Sequence, residues 1–305
     1  MKVALGQFYT AINPFKHEAF FDWAAKAGLP EAPVLEPFAG ANSLIDHLRE
    51  MGQCNSFTSY DIAPSSKEVA KRDTLVAFPN GFSVCVTNPP WLAKNSATAH
   101  KIVFPTCGYD DLYKFALEKC LAGCDYVAAL VPESFIKSGL FEGRLLAFVS
   151  IIERLFTDTA HPVGLALFTP YETEDVKLWS GDAFIGTLAE VRALYPMPKK
   201  NGVAVVFNAG HANVGLLALD NTKCRSIRFC HLDEIAHREA KATDRAVSRV
   251  FVGGTVDIEK WNNALADLRK KTRDMLMVAY RGLRADGMYR RRLDWKLARG
   301  IIHNA

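Results

Sequence analysis

The sequence has no apolar stretch approaching the ~18 residues of a membrane-spanning helix, and it has no internal repeat and no low-complexity segment. The missing apolar run excludes a helical membrane protein, and the near-average composition excludes a disordered tail and a collagen-like fibre. Paired cysteines are lacking too. There are 7 cysteines, an odd number, and only Cys120 and Cys124 sit close together, with no second pair or histidine set beside them. A disulfide scaffold is therefore excluded and no bound metal is expected. The opening MKVALGQFYT is too short and too polar for a signal peptide. The expectation is a cytoplasmic chain in a reducing setting, without membrane attachment. What the chain does have is 305 residues that are 49% hydrophobic and 23% charged, enough for one large domain or two smaller ones with real cores.

Charge is unevenly spread. Residues 1–170 hold 14 Lys+Arg against 17 Asp+Glu, residues 171–240 hold 8 against 9, and residues 241–305 hold 15 against 7. A basic end on an acidic body suits a polyanion gripped by one part while the other does something else, or a solvated helical tail rich in arginine.

From residue 33 onward, short apolar runs alternate with amphipathic stretches, the pattern of a mostly parallel sheet covered by helices. Strands are predicted at 34–36, 57–61, 82–87, 126–131, 151–156 and 164–169. Helices are predicted at 16–27, 43–51, 111–121 and 140–149. After Pro170 the texture changes to short β-like runs broken by Gly, Asn and Pro, then from Asp257 back to helical spacing between basic residues. The division expected is a catalytic α/β domain over 1–171 and a smaller α+β region over 172–305, β-rich to residue 230 and helical and basic over 231–305.

Three segments carry chemistry. Val34 to Asn42 is a strand that ends in Glu36 and turns through Gly40 into a helix, a geometry that lets a ligand approach the backbone. Asp61 ends the next strand, 21 residues past Gly40, where an acid can accept both hydroxyls of a ribose, and Asp73 follows at a third strand end. After the apolar strand 82–86 comes Thr87-Asn88-Pro89-Pro90-Trp91. Two prolines can neither continue the strand nor begin a regular helix interior. They therefore hold the Asn88 side chain and the Pro89 carbonyl rigidly at the carboxyl edge of the sheet, where α/β proteins bind ligands.

The Asn88–Trp91 box, the Glu36-Pro37-Phe38-Ala39-Gly40 turn and the opening Gly6-Gln7-Phe8-Tyr9-Thr10 together resemble the S-adenosylmethionine-dependent DNA adenine-N6 methyltransferases, in the order of their gamma arrangement. The resemblance covers about residues 6–170. It implies a doubly wound, Rossmann-like sheet followed by a target-recognition region, S-adenosylmethionine as cofactor, and double-stranded DNA as partner with the target adenine flipped out. It also admits a cognate restriction endonuclease as partner. The chain departs from the family at Asn42, where a second glycine is usual, and at Ala11, where proline is common. Both changes bear on cofactor affinity.

Position by position, the resemblance implies that Phe8, Tyr9 and Thr10 contact the methionine end of the cofactor and that Glu36 meets its amino group beside Gly40 and Asn42. Asp61 would hold the ribose, Asp73 the adenine amino group, and Phe38 and Ile62 would sandwich the adenine ring. Asn88 and Pro89, stiffened by Pro90, would accept hydrogen bonds from the target amine, and Trp91 would stack on the target base. RNA adenine and protein glutamine are alternative acceptors for a similar box, and a catalytically silent nucleic-acid binder is the alternative outside enzymes.

Other residues are candidates for DNA contact. Lys94, Ser96, His100 and Lys101 lie in a polar segment, 94–110, attached to the box, either a loop that orders on DNA or a surface loop without contacts. Phe156 or His161 could edge the flipped base or be an ordinary core Phe and surface His. Arg290, Arg291 and Arg292, interleaved with Tyr289 and Trp295, could clamp phosphates or form a solvated helix face.

Overall fold

A computed structural model describes residues 10, 12–156, 160–208, 210–236 and 245–305. Phe8 and Tyr9 lie outside the described residues. The chain folds as two compact units, 1–184 and 185–305.

The first unit begins with α1 (Glu18–Ala27), whose Phe20, Trp23 and Ala24 are buried and which stops at Gly28 in the left-handed region that glycine enters without penalty. Then come β1 (Val34–Glu36), α2 (Ser43–Glu50), β2 (Phe57–Asp61), β3 (Val69–Lys71), β4 (Val84–Thr87), α3 (Lys94–Ala99) and α4 (Leu112–Gly123). They are followed by β5 (Tyr126–Pro132), β6 (Leu145–Ile151), β7 (Val163–Phe168), β8 (Lys177–Ser180) and β9 (Ala183–Thr187), the last running into the second unit. The sheet order is β3-β2-β1-β4-β5-β7-β6-β8-β9. The run β3-β2-β1-β4-β5 is parallel throughout, and β7 runs antiparallel to both β5 and β6.

Because side chains alternate across a strand, the sheet feeds two cores. Val34, Val84, Val86, Ala128 and Leu130 point to the side where α1 and α2 bring Phe20, Trp23, Ile45 and Leu48. On the other side Cys85 meets Cys120 of α4 and Cys124 just past its end as buried free thiols. The fold is a doubly wound, Rossmann-like α/β sheet. Its order reverses between β1 and β4, so two crossovers leave in opposite directions and open a crevice at the carboxyl ends of those strands.

Three local expectations are corrected. The helix expected over 140–149 is a short 3-10 turn, Glu142–Arg144, followed by β6, and the strand expected over 151–156 stops at Ile151. The run Leu145–Ile151 is buried on both faces, so it has no polar alternation and its periodicity cannot separate helix from strand. The sheet also continues past residue 171, since β8 pairs in parallel with β6 through Ala147↔Lys177 to Ser150↔Ser180.

The second unit contains α5 (Leu188–Leu194), β10 (Val205–Phe207), β11 (Val214–Leu217), β12 (Arg228–Cys230), β13 (Val247–Val252), α6 (Ile258–Thr272), β14 (Val278–Leu283), β15 (Tyr289–Arg292) and α7 (Trp295–Asn304). An antiparallel sheet, β10-β13-β11-β12, buries Val214, Leu216, Val250 and Val252 against Trp261, Leu265, Leu297 and Ile301 of α6 and α7. The region 231–305, expected to be helical, holds three strands as well. Arg290–Arg292 lie on β15, in a ribbon with β14, and not on a solvated helix.

Candidate active site

A cavity of about 530 Å³ lies at the reversal point of the first sheet and is lined by Thr10, Glu36, Phe38, Gly40, Asp61, Ile62, Asp73, Asn88 and Pro90 among others. That volume is in the range of small-molecule sites. Thus β1, β2, β3 and β4 each deliver to one space the residue or turn that the sequence placed at its carboxyl end.

The turn after β1 is fixed by β2. Ala39 donates its N–H to the Tyr60 carbonyl at 2.8 Å, and Gly40 donates to Asp61 Oδ2 at 2.9 Å. Gly40 has a φ of 54°, a conformation costly for a residue with a Cβ. Asp61 Oδ1 accepts from Ala63 N–H at 2.7 Å. Both Asp61 oxygens therefore hold backbone amides, and each retains a lone pair for a ligand hydroxyl. Asp73 caps its own turn, with Oδ1 accepting from the Leu75 and Val76 amides. The turn is held in place by Thr74, whose hydroxyl donates to the Pro37 carbonyl at 2.8 Å.

Glu36 is the most perturbed group in the cavity. It is 1% exposed. Its Oε1 accepts from the Phe38 amide at 3.0 Å and from the Thr87 hydroxyl at 2.8 Å, while Oε2 is buried with no hydrogen-bond partner. Burial pushes its pKa up to about 8, against the opposing effect of the two hydrogen bonds; the charge of Asp61 adds to the rise. A buried carboxyl with an open oxygen in a cavity is suited to a cationic or N–H-bearing group.

Asn42 departs from its expected role. It takes the left-handed φ of 73° that stands in for glycine, but its side chain does not cap α2. The side chain is buried, accepts the Ser59 hydroxyl at 2.6 Å, and does not line the cavity.

Within the Asn-Pro-Pro-Trp box, Asn88 and Pro90 face the cavity and Trp91 does not. The half-buried Trp91 packs on the main core, its indole N–H directed at the Leu130 carbonyl at 3.4 Å and its ring edge-to-face with Phe156 at 5.4 Å. Phe156 is a fully buried core residue and pairs by an isolated bridge with Thr10, which itself lines the cavity.

Segment 94–110 is not a bare loop. It starts with α3, is pinned where Lys94 N–H donates to the Asp110 carbonyl and Leu112 N–H to the Leu92 carbonyl, and supplies Ile102, Val103 and Pro105 to the cavity wall. Lys94, Ser96, His100 and Lys101 are exposed on it. The apolar wall of Leu75, Val76, Ile102 and Val103 is not legible in the sequence, where Leu75-Val76 and Ile102-Val103 read as short apolar runs; the structure leaves Val103 (93%) and Val76 (85%) exposed at the cavity. Among the described residues no group of three or more His, Cys, Asp or Glu is placed to hold a metal ion, and no helix is long and apolar enough to cross a membrane.

Arg290, Arg291 and Arg292 belong to the second unit and split across their strand. Arg291 is buried, whereas Arg290 and Arg292 are half-exposed.

Comparison with protein-family models and with curated proteins finds no match. Among solved structures, the chain is similar to a protein of Listeria monocytogenes assigned to the class I S-adenosylmethionine-dependent methyltransferases (14% identity, TM-score 0.38, 53% of this chain and 64% of that one). It is also similar to a modification subunit assigned to a type I restriction enzyme of Vibrio vulnificus (15%, 0.41, 57% and 47%). A third similarity is to the type I restriction-modification methyltransferase subunit of Streptococcus thermophilus (15%, 0.39, 62% and 52%). The chain thus spans about half to just under two thirds of the length of those structures, and at this identity they carry no residue roles to it.

Proposed function

We propose that the first unit is an S-adenosylmethionine-dependent methyltransferase and that its acceptor is N6 of an adenine flipped out of double-stranded DNA. The observation that carries this reading is the pairing in one cavity of a buried, partner-seeking carboxyl, Glu36 Oε2, with the Asn-Pro-Pro box on the adjacent strand.

The residues present fit the cofactor. Glu36 Oε2 offers an acceptor for its ammonium group, Asp61 keeps lone pairs for the ribose hydroxyls, and Asp73 has Oδ2 left for the adenine amine. Ile62, Val76 and Val103 present aliphatic surface to a flat ring. When bound, the cofactor supplies a methyl group already activated as a sulfonium.

The rest of the chemistry falls to the chain. An exocyclic amine is a poor nucleophile because its lone pair is delocalised into the ring. Acceptors at its two hydrogens favour the pyramidal geometry of the transition state, and Asn88 and the Pro89 carbonyl are assigned that task. Their rigidity comes from two consecutive prolines whose φ is fixed. An amine inside a duplex is out of reach, so the nucleotide must leave the stack. Trp91, held by Leu130 and Phe156 outside the cavity lining, is assigned the stacking contact with it. Lys94, Ser96, His100 and Lys101, exposed on the segment that follows the box, are assigned contacts with the nucleic acid, and a restriction-modification or phage setting, inside the cell and with or without a cognate nuclease, fits such an enzyme.

Incubation with methyl-labelled cofactor and duplex DNA, RNA or protein, followed by nucleoside and peptide mass spectrometry, tests the reading. Label in N6-methyladenine from DNA is expected. Label in RNA or in glutamine would replace the acceptor, and cofactor binding without transfer would leave a silent binder.

A further inference from the structure

The second unit holds 22 Lys+Arg against 12 Asp+Glu, whereas the first holds 15 against 21. Its arginines fall into two populations. One is buried and paired: Arg269 binds Asp220 and Asp274 through four hydrogen bonds of 2.7–3.0 Å, and Arg284 binds Asp220 and Asp286. Asp220 Oδ2 also accepts the backbone N–H of Arg291 at 3.2 Å. These charges hold the β14–β15 ribbon against the end of β11, where Leu219 bridges Arg292 and Leu293 N–H donates to the Ala218 carbonyl. A buried ion network is costly to assemble, and what it secures is a fixed geometry.

The other population is on the outside of that ribbon. The register Val278↔Arg292 and Tyr280↔Arg290 places Tyr280, Arg290 and Arg292 on one face, and Ala279↔Arg291 on the other. Arg290 is preset: its guanidinium lies 5.2 Å from the centroid of the Tyr280 ring and its Nε donates to the Asp220 carbonyl at 2.7 Å. Neither Arg290 nor Arg292 has a carboxylate partner among the described residues, unlike Arg269 and Arg284.

We infer that the outer face of this ribbon, Tyr280, Arg290 and Arg292, is a docking surface for the phosphate backbone of duplex DNA, and that Arg291, Arg284 and Arg269 only hold the ribbon in place. The inference rests on the DNA-methyltransferase reading for its choice of polyanion. Two guanidinium groups without a carboxylate partner among the described residues, on a ribbon anchored at its turn, match a row of phosphates, and a two-stranded ribbon is a shape that DNA grooves accept.

The test is fluorescence anisotropy of the full chain with a labelled duplex between 50 and 200 mM salt. Arg290→Gln and Arg292→Gln should each reduce the slope of log affinity against log salt by about 0.9, and the pair by about twice that. Arg290→Lys, which keeps the charge, should restore most of the slope. Arg291→Gln should lower the melting temperature and leave the slope of the folded protein unchanged. An unchanged slope in the double variant, or an equal loss in a folded Arg291→Gln protein, overturns the assignment. So does a loss seen on single-stranded RNA and not on the duplex. Methyl transfer is read separately: a chain that binds DNA with this arginine dependence but never methylates keeps the ribbon surface and loses the enzymatic reading.

Discussion

The Thr87 hydroxyl donates to Glu36 Oε1 across 2.8 Å, tying the carboxyl end of β4 to that of β1 at the point where the sheet order reverses. The bond fixes the rotamer of Glu36, leaves Oε2 as the open acceptor, and lies one residue from Asn88. Thr87→Val should therefore leave the fold intact, since the side chains are similar in volume, yet weaken S-adenosylmethionine binding several-fold. Titration calorimetry checks it, and equal affinities would show that Glu36 needs no such support.

Glu36 should also make stability, and the proposed cofactor binding, depend on pH. Its carboxyl is held at about 8 in the folded chain against 4.5 when exposed. The folded state therefore binds a proton that the unfolded state has lost between those values. The contribution to stability is complete below pH 4.5 and declines as pH rises toward 8, with a slope of at most about 1.4 kcal/mol per pH unit. Asp111, raised by burial to about 6, acts in the same direction only up to that pH. Glu36→Gln should flatten the pH 6–8 part of the urea-unfolding profile. A cationic ligand reverses the preference, so cofactor binding near pH 7 should release a proton, visible as a calorimetric enthalpy that changes with the ionisation heat of the buffer.

Asp61→Ala removes the acceptor for the Gly40 and Ala63 amides as well as the lone pairs offered to a ribose. The turn at Gly40 should loosen and cofactor affinity should fall tenfold or more. Asp61→Asn, which keeps one acceptor oxygen, should fall in between. Calorimetry on the three proteins gives the order, and an Asp61→Ala protein that binds like wild type would remove Asp61 from the site.

Much of this site is legible in the sequence because each piece is local. Glu36 and Asn88 stand where an apolar run stops and a proline follows, Asp61 ends its strand, and strand ends at a reversal point converge on one crevice. Asn42 is legible only in its backbone: its tolerance of a left-handed conformation follows from residue type, but its partner Ser59, 17 residues on, is a tertiary choice. Leu145–Ile151 misleads because a strand buried on both faces has no period of two to read. Arg290–Arg292 mislead for a different reason. Three arginines in a row look alike in sequence, and only pairing with β14 shows that Arg291 points inward while its neighbours do not.

In the second unit, Asp220 is completely buried and compensates both Arg269 and Arg284. Asp220→Ala would leave two buried guanidinium groups short of a partner, a change that costs about 3–5 kcal/mol. Denaturant unfolding should show a loss of that size, and a loss below about 1 kcal/mol would mean that water reaches the network.

Asn88 is assigned to the target amine and the cavity that it lines to the cofactor. The most direct measurement is the single-turnover rate of N6-methyladenine formation in duplex DNA by wild-type and Asn88→Ala proteins, with cofactor affinity measured on the same samples. Loss of a transition-state acceptor should lower the rate by about 10²-fold or more and leave cofactor affinity nearly unchanged. A mismatch opposite the target adenine, which makes flipping cheaper, should rescue Trp91→Ala in part and Asn88→Ala not at all. An Asn88→Ala protein that methylates adenine at the wild-type rate, or a wild-type protein that binds the cofactor and yields no N6-methyladenine, would contradict the account.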